Sequence, residues 1–391
     1  MPSRMHEYDA IVVGAGFSGA VMAERMATQL GYKVLVLEKR PHLAGNCYDE
    51  IDENGIMVHK YGPHLFHTDK NEVIDYLSNF TEWLPYQHKV LASINEKLVP
   101  IPFNFKSIDL CFDEETAKKI KGKLLSIYGE GTRVPILELR KKNDGLMNQL
   151  ASYVFENIFI NYTTKQWGVG PDEISPEVTA RVPVVVGYDD RYFLDPFQAV
   201  PKYGYTKLIS GILSHKNITL LQSTPMDKLV TLDSVTKSIF FNAEVFQGKL
   251  IYTGMLDELF SFSKGFLPYR SLEFRFERLS AEYFQPAATV NYPNSEKFTR
   301  ITEFKRILDT KSDKTTIVYE YPCEYSYDSD LQPYYPIFSE TSKVHFVKYE
   351  EMLKMYQNVI AVGRLAQYKY FDMDDAVFNA LTAYSTNFEK K

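Results

Sequence analysis

The chain has 391 residues, 45% apolar and 24% charged, with 44 basic against 50 acidic side chains and a net charge of −6. That length and balance describe a globular protein of two or three domains, and the acidic excess argues against a general nucleic-acid binder. Three scattered cysteines, Cys47, Cys111 and Cys323, offer neither a disulfide framework nor a CxxC zinc pair, and no metal site is expected.

The opening "MPSRMHEYD" has no apolar signal core. The first apolar stretch, residues 10–23, holds Gly14, Gly16 and Gly19 and is too short to span a bilayer. The expectation is a cytoplasmic protein without membrane insertion. Residues 11–13 form a continuous apolar run, as in a buried parallel strand. Residues 18–30 place Val21, Met22, Met26 and Leu30 at helical spacing before Gly31, and residues 34–37 form a second strand. In this βαβ unit Gly14 permits the tight turn, Gly16 the close approach of a pyrophosphate, and Gly19 the packing of helix on strand. Phe17 and Ser18 lie between them at the positive end of the helix. Glu38 ends the second strand, where a carboxylate can take both hydroxyls of an adenosine ribose. Lys39, then Gly45 and Asn46 in "AGNCYDE", suggest a chain turning back along an extended dinucleotide.

"HKYGPHLFHTD" crowds His59, His64 and His67 around a Gly-Pro turn that leaves His64 on a loop. Residues 116–159, rich in Lys, Leu, Glu and Ile, read as several helices. "YTTKQWG" carries Tyr162 and Trp167, either a wall for a flat base or two core aromatics. Arg181 and Arg300 are candidate diphosphate clamps, because a guanidinium fork matches phosphate oxygens; ordinary surface arginines would look the same. Alternating apolar patterns from residue 219 onward imply antiparallel strands, with "KLIYTG" returning to the edge of the nucleotide sheet. "YEYPCEY" and "PYYPI" add phenols that could reach phosphate or sugar, or simply line a tyrosine-rich sheet face. "NVIAVGR" is a buried strand, and a helix over 374–388 could turn its N-terminus toward a flavin. The fold class expected is α/β: a Rossmann-like nucleotide-binding unit at the ends, helices over 116–159 and antiparallel strands in a β-rich middle, which implies a domain interrupted by insertions.

Taken together, "YGPHLFHT", "YTTKQWG", "YDDRYF", "GYT", "TRITE", "PYYPI" and "VGRLAQYKYFDMD", after the GxGxxG opening, resemble the bacterial UDP-galactopyranose mutases over nearly the whole chain. The resemblance implies FAD, active when reduced, and conversion of UDP-galactopyranose to UDP-galactofuranose through a flavin N5–sugar adduct without net redox change. It implies an FAD domain at 1–85, 205–262 and 345–391, a bundle at 106–161, and a substrate domain at 86–105, 162–204 and 263–344. Arg181 and Arg300 would clamp the diphosphate, with hydrogen bonds from Tyr192, Tyr335 and Tyr370. Tyr162 and Trp167 would line the uridine end. Asn104, Asn291, Arg270 and, on a one-residue length adjustment, Glu320 match substrate-site positions. His64 would sit by the flavin, Arg364 would favour its reduced anion, and Asp372 and Met373 would complete the cofactor and sugar wall.

The partners implied are a UDP-sugar, a second copy of the chain, and NAD(P)H or another reductant. Val184 and Val185 depart from the usual loop pattern, and Ala366 and Gln367 from the usual small-polar pair. The alternatives are the same ring contraction on an N-acetylated or deoxy hexose, including a dTDP-linked one, an amine-oxidase-like flavoenzyme, or a nonenzymatic flavin module.

Overall fold

A computed structural model describes residues 7–142, 144–168 and 183–389; the side chain of Trp167 also falls outside the described set. The first strand, Ala10–Val13, lies in the middle of a five-stranded parallel sheet. From one edge the order is Ile218–Leu221, Val34–Leu37, Ala10–Val13, Lys249–Tyr252 and Val359–Ala361. Both faces are covered, so the inner strands are apolar without alternation. Val12, Val36 and Ile251 join one core with Met22, Met26 and Leu381, while Ile11, Leu35 and Leu250 join another with Leu256 and Tyr349. The strand Lys249–Tyr252 is therefore interior, not at the sheet edge expected from sequence: hydrophobic burial of Leu250, Ile251 and Tyr252 on both faces puts it there. Ile218–Leu221, whose alternate residues are exposed, takes the edge instead, and pairs in parallel.

The second sheet has seven strands, in the order Tyr335–Pro336, Tyr269–Leu279, Thr315–Glu324, Arg300–Glu303, Thr289–Asn291, Val90–Ile94 and Lys97–Ile101. All its pairings are antiparallel except that of Thr289–Asn291 with Val90–Ile94. Beyond its edge lies the helical region. There Glu114–Tyr128 starts at Asp113, whose carboxylate accepts from Thr116 N–H, carries Glu114 and Glu115 in its first turn, and ends at Gly129 with φ +77°. Its buried Ala117, Ile120 and Leu124 pack with Met147, Leu150 and Val154 of the helix Gly145–Val154. That helix runs through a π-helical turn, Phe155–Phe159, into Ile160–Trp167, so the chain is helical from Gly145 to Trp167 without a break at 161.

The two ends of the chain meet. The helix Phe17–Gln29, which follows the glycine loop, packs along the C-terminal helix Met373–Phe388, with Ala20, Ala23, Val377 and Ala380 in one core. Among the described residues no helix is long and apolar enough to cross a membrane, and no group of three His, Cys, Asp or Glu could hold a metal ion.

Candidate active site

The cradle for a dinucleotide is built by backbone. A Cβ on Gly14 would stand 2.2 Å from Thr253 Oγ1, and one on Gly19 only 1.9 Å from the Gly14 carbonyl oxygen. Gly16 differs: nothing comes nearer than 3.8 Å, so the fold itself would accept a side chain there. The helix after it has no side-chain cap and no acidic residue in its first turn, which leaves its N–H groups and positive end free for an anion. Opposite Gly16 lies Gly45, φ +55°, in a short 3-10 turn with Asn46. The buried Glu38 carboxylate accepts from the N–H groups of Ala15 and Arg40, at 2.8 and 2.9 Å, and keeps lone pairs for two hydroxyls. Arg40 donates to Asn46 Oδ1 at 2.9 Å, and its other terminal nitrogen is buried without a partner. Gly363, φ +95°, brings the last strand of the sheet against Ser18. Phe17 and Met373 pack beneath in the same core. An uncapped helix end, an orphaned guanidinium nitrogen and a ribose-type carboxylate fit a bound dinucleotide. Lys39, in contrast, points to Glu258 at 3.9 Å on the half-exposed surface.

The second sheet supplies the polar floor. Asn291 is opposite Arg300, Arg300 opposite Glu320, and Glu320 opposite Phe274. Directly opposed residues in neighbouring strands share a face, so these side chains form one row. Arg300 Nε stands 2.6 Å from Glu320 Oε1, and the carboxylate is 1% exposed. The contact is ionic rather than a well-aligned hydrogen bond, and Asn291 Oδ1 beside it is buried without a partner. Burial works against the Arg300 charge, but Glu320, with Tyr162 and Tyr335, together outweigh it and raise the pKa. The row therefore presents a permanent cation with unspent donors.

Around this floor stands an aromatic and cationic wall. Tyr335 stacks on Tyr370 with ring centroids 5.9 Å apart, and the Arg364 guanidinium lies 5.7 and 5.4 Å from those rings. Arg364 also donates to the carbonyls of Tyr334 and Phe371. Tyr162 and Tyr192 have phenols raised by burial, and the positive field of Arg300 pulls both back down. Asp372 is raised by burial, with His67 and Arg364 opposing the shift.

The Gly62-Pro63 turn lays Gly62 on the Phe274 ring, at the end of the Glu320 row. His64 follows; its Nδ1–H donates to the Gly62 carbonyl at 2.8 Å, which leaves Nε2 as an acceptor. Desolvation, then His59, Arg364 and Arg300, hold its pKa down to about 3, so it is neutral.

Other residues singled out from sequence make contacts of their own within the fold. Asn104 is fully buried as the cap of helix Phe105–Cys111, its Oδ1 accepting from Lys106 and Ser107 N–H. Arg270 donates from Nε to the Gln166 carbonyl at 3.1 Å and from Nη2 to that of Lys165 at 3.4 Å, at the C-terminal end of the helix that carries Tyr162. The N-terminus of helix Met373–Phe388, expected to face a flavin, is already met by carboxylates: Asp372 and Asp375 form a capping box, and Asp374 binds Lys70 at 2.6 Å and Thr68 at 2.8 Å. Arg181 and the Trp167 side chain lie outside the described residues. Val184 and Val185 are buried in a strand paired with Arg133–Pro135. Ala366 is buried, and Gln367 donates to the Ala361 carbonyl at 3.1 Å.

Sequence reading passed over His88, which is 5% exposed, bonded to Tyr86 at 3.2 Å and under the field of Arg300. A single histidine just before a strand gives no periodic signal. It also passed over Lys165, although that residue lies within the quoted "KQWG".

A family model described as UDP-galactopyranose mutase matches residues 157–370, and one described as an NAD(P)-binding Rossmann-like domain matches residues 12–80. The UDP-galactopyranose mutase of Mycoplasma genitalium is 33% identical, with 95% of this chain and 93% of that protein covered. The chain belongs to the UDP-galactopyranose mutase family. It is an isomerase by that membership, and FAD is the cofactor its cradle takes. The dTDP-fucopyranose mutase of Escherichia coli is 30% identical over 95% of this chain and 96% of its own. A solved structure of reduced UDP-galactopyranose mutase superposes with TM-score 0.70 at 18% identity, covering 98% of this chain and 94% of that one, which shows the shared mixed α/β fold.

Proposed function

We propose that the chain interconverts UDP-galactopyranose and UDP-galactofuranose with reduced FAD. The observation that supports this best is the row Asn291, Arg300 and Glu320 facing Arg364, Tyr335 and Tyr370: a fixed positive site ringed by phenols, suited to a diphosphate. Reduced FAD, when bound, supplies the nucleophile for the anomeric carbon, with no net electron transfer.

The chain's own groups do the remainder. Arg300, together with Arg181, holds the diphosphate while its bond to the sugar breaks and re-forms. Tyr192, Tyr335 and Tyr370 donate to the same oxygens. Tyr162 and Trp167 line the uracil end. Glu320 fixes the direction of Arg300, and Asn291 Oδ1 offers an acceptor to a substrate hydroxyl. Neutral His64 presents Nε2 as an acceptor at the cofactor, Arg364 favours negative charge there, and Asp372 stands beside the sugar. Enclosure by aromatic rings excludes water from the reacting carbon. A homodimer, a cytoplasmic setting and NAD(P)H or another reductant complete the proposal on the strength of family membership.

The test is to incubate the dithionite-reduced protein with UDP-galactofuranose and separate the products by chromatography. UDP-galactopyranose is the expected product, and none with the oxidised protein. The likeness to a dTDP-fucopyranose mutase supports a second substrate arm, dTDP-fucofuranose, run in parallel. Faster turnover there would move the assignment to the deoxy sugar, and inertness toward both would overturn it.

A further inference from the structure

The helix Ile160–Trp167 is held by two cations, Lys165 and Arg270, whose hydrogen bonds among the described residues all run to backbone carbonyls. Lys165 Nζ donates to three carbonyl oxygens, those of Tyr292 at 2.5 Å, Glu296 at 3.0 Å and Phe298 at 3.4 Å. Those carbonyls belong to the loop 292–299, which joins Asn291 to its cross-strand partner Arg300. Asn161 Nδ2 adds a bond to Asn294 Oδ1 at 3.2 Å on the same loop. Arg270 binds the last carbonyls of the helix, and Arg270 is the register partner of Tyr335. Gly168, φ +66°, closes the helix so tightly over Arg270 that a Cβ there would stand 2.6 Å from its Nη1.

An ammonium with all three N–H groups given to backbone has none left for a ligand. Its burial lowers the Lys165 pKa, yet three carbonyls suit only the charged form. We infer that Lys165 is a positioning residue, with Arg270 as its counterpart: it fastens the helix bearing Tyr162 to the loop that sets Asn291 and Arg300, so that the base wall and the diphosphate floor keep one spacing. This rests on the proposed nucleotide-sugar reading of the cleft. It gives "KQWG" a second role, and it makes Arg270 a clamp on the helix rather than a ligand for substrate.

The test uses UDP as the probe on the FAD-loaded protein. Lys165→Met is expected to weaken UDP binding and raise KM about tenfold, while kcat stays within about threefold and the bound-FAD spectrum is unchanged. Lys165→Arg, which keeps charge and donors, recovers most of the affinity. The deciding measurement is a double-mutant cycle: in an Arg300→Lys background the added effect of Lys165→Met should shrink below about twofold. Full additivity, or a Lys165→Met protein that binds UDP as wild type does, would overturn the inference. If Lys165→Met does not retain FAD, Asn161→Ala reads the same fastening, with about a threefold loss that vanishes in the Arg300→Lys background; an unchanged affinity would count against it. Wild-type protein that ignores UDP would overturn the functional reading and this inference together, whereas tight wild-type binding with an indifferent Lys165→Met overturns the inference alone.

Discussion

The Arg300 guanidinium and the Glu320 carboxylate meet across two paired strands with Nε 2.6 Å from Oε1, the carboxylate enclosed and the guanidinium partly open to the cleft. Each half of a buried ion pair depends on the other, because removing one leaves an uncompensated charge that costs about 3 kcal/mol or more. Arg300→Ala should therefore lower both turnover, by about a hundredfold or more, and the denaturant midpoint. Adding Glu320→Gln should restore the midpoint but not the turnover. Recovery of both would mean that the pair is structural only.

The glycine loop separates folding from cofactor binding. Gly16→Ala meets no atom within 3.4 Å and has an extended backbone, so the protein should fold with near wild-type secondary structure. The new methyl group would sit where the pyrophosphate must approach, and the purified protein should be colourless. Gly19→Ala, by contrast, collides with the Gly14 carbonyl and should fail to accumulate. A yellow Gly16→Ala protein would place the dinucleotide elsewhere.

His64→Ala should keep FAD and lose most turnover, since the ring's Nε2 is an acceptor aimed away from its one carbonyl partner. With a pKa of about 3, His64 does not titrate in the neutral range, so the wild-type kcat profile between pH 6 and 8 should show no inflection that the His64→Ala variant lacks. Such an inflection would assign His64 a protonated role.

Burial also links stability to acid. His59 and His88 are buried and hold pKa values of about 4 and 3, below the value of about 6.5 in an unfolded chain. The native state thus binds fewer protons than the unfolded state between those limits. Their contribution is complete above pH 6.5 and is lost as the pH falls toward 4. At pH 5 each costs on the order of 2 kcal/mol. Urea midpoints measured from pH 7 to pH 5 should fall, and His88→Gln should flatten the decline. A wild-type midpoint independent of pH would refute this.

Arg181→Ala is expected to reduce turnover of UDP-galactofuranose by about a hundredfold with FAD retained. Retention of near wild-type kcat/KM would remove Arg181 from the diphosphate clamp.

By itself, the sequence determined what local chemistry determines. Gly14, Gly16, Gly19 and Glu38 sit within one strand-turn-helix-strand unit, so their spacing alone fixes a dinucleotide cradle. The alternation of Arg300 and Thr302, or of Val318 and Glu320, on short strands fixes which side chains share a face. What it left open were contacts between segments far apart in the chain. "KLIYTG" reads the same at an edge or in the middle of a sheet, and only burial from both sides placed it beside Ala10–Val13. Arg270 looks like any polar residue near a cleft until a helix end 104 residues away claims it. Lys165 and His88 carry no period at all. Their parts are settled by long-range packing, because a hydrogen bond or a desolvated ring has an energy only where the folded chain brings its partner.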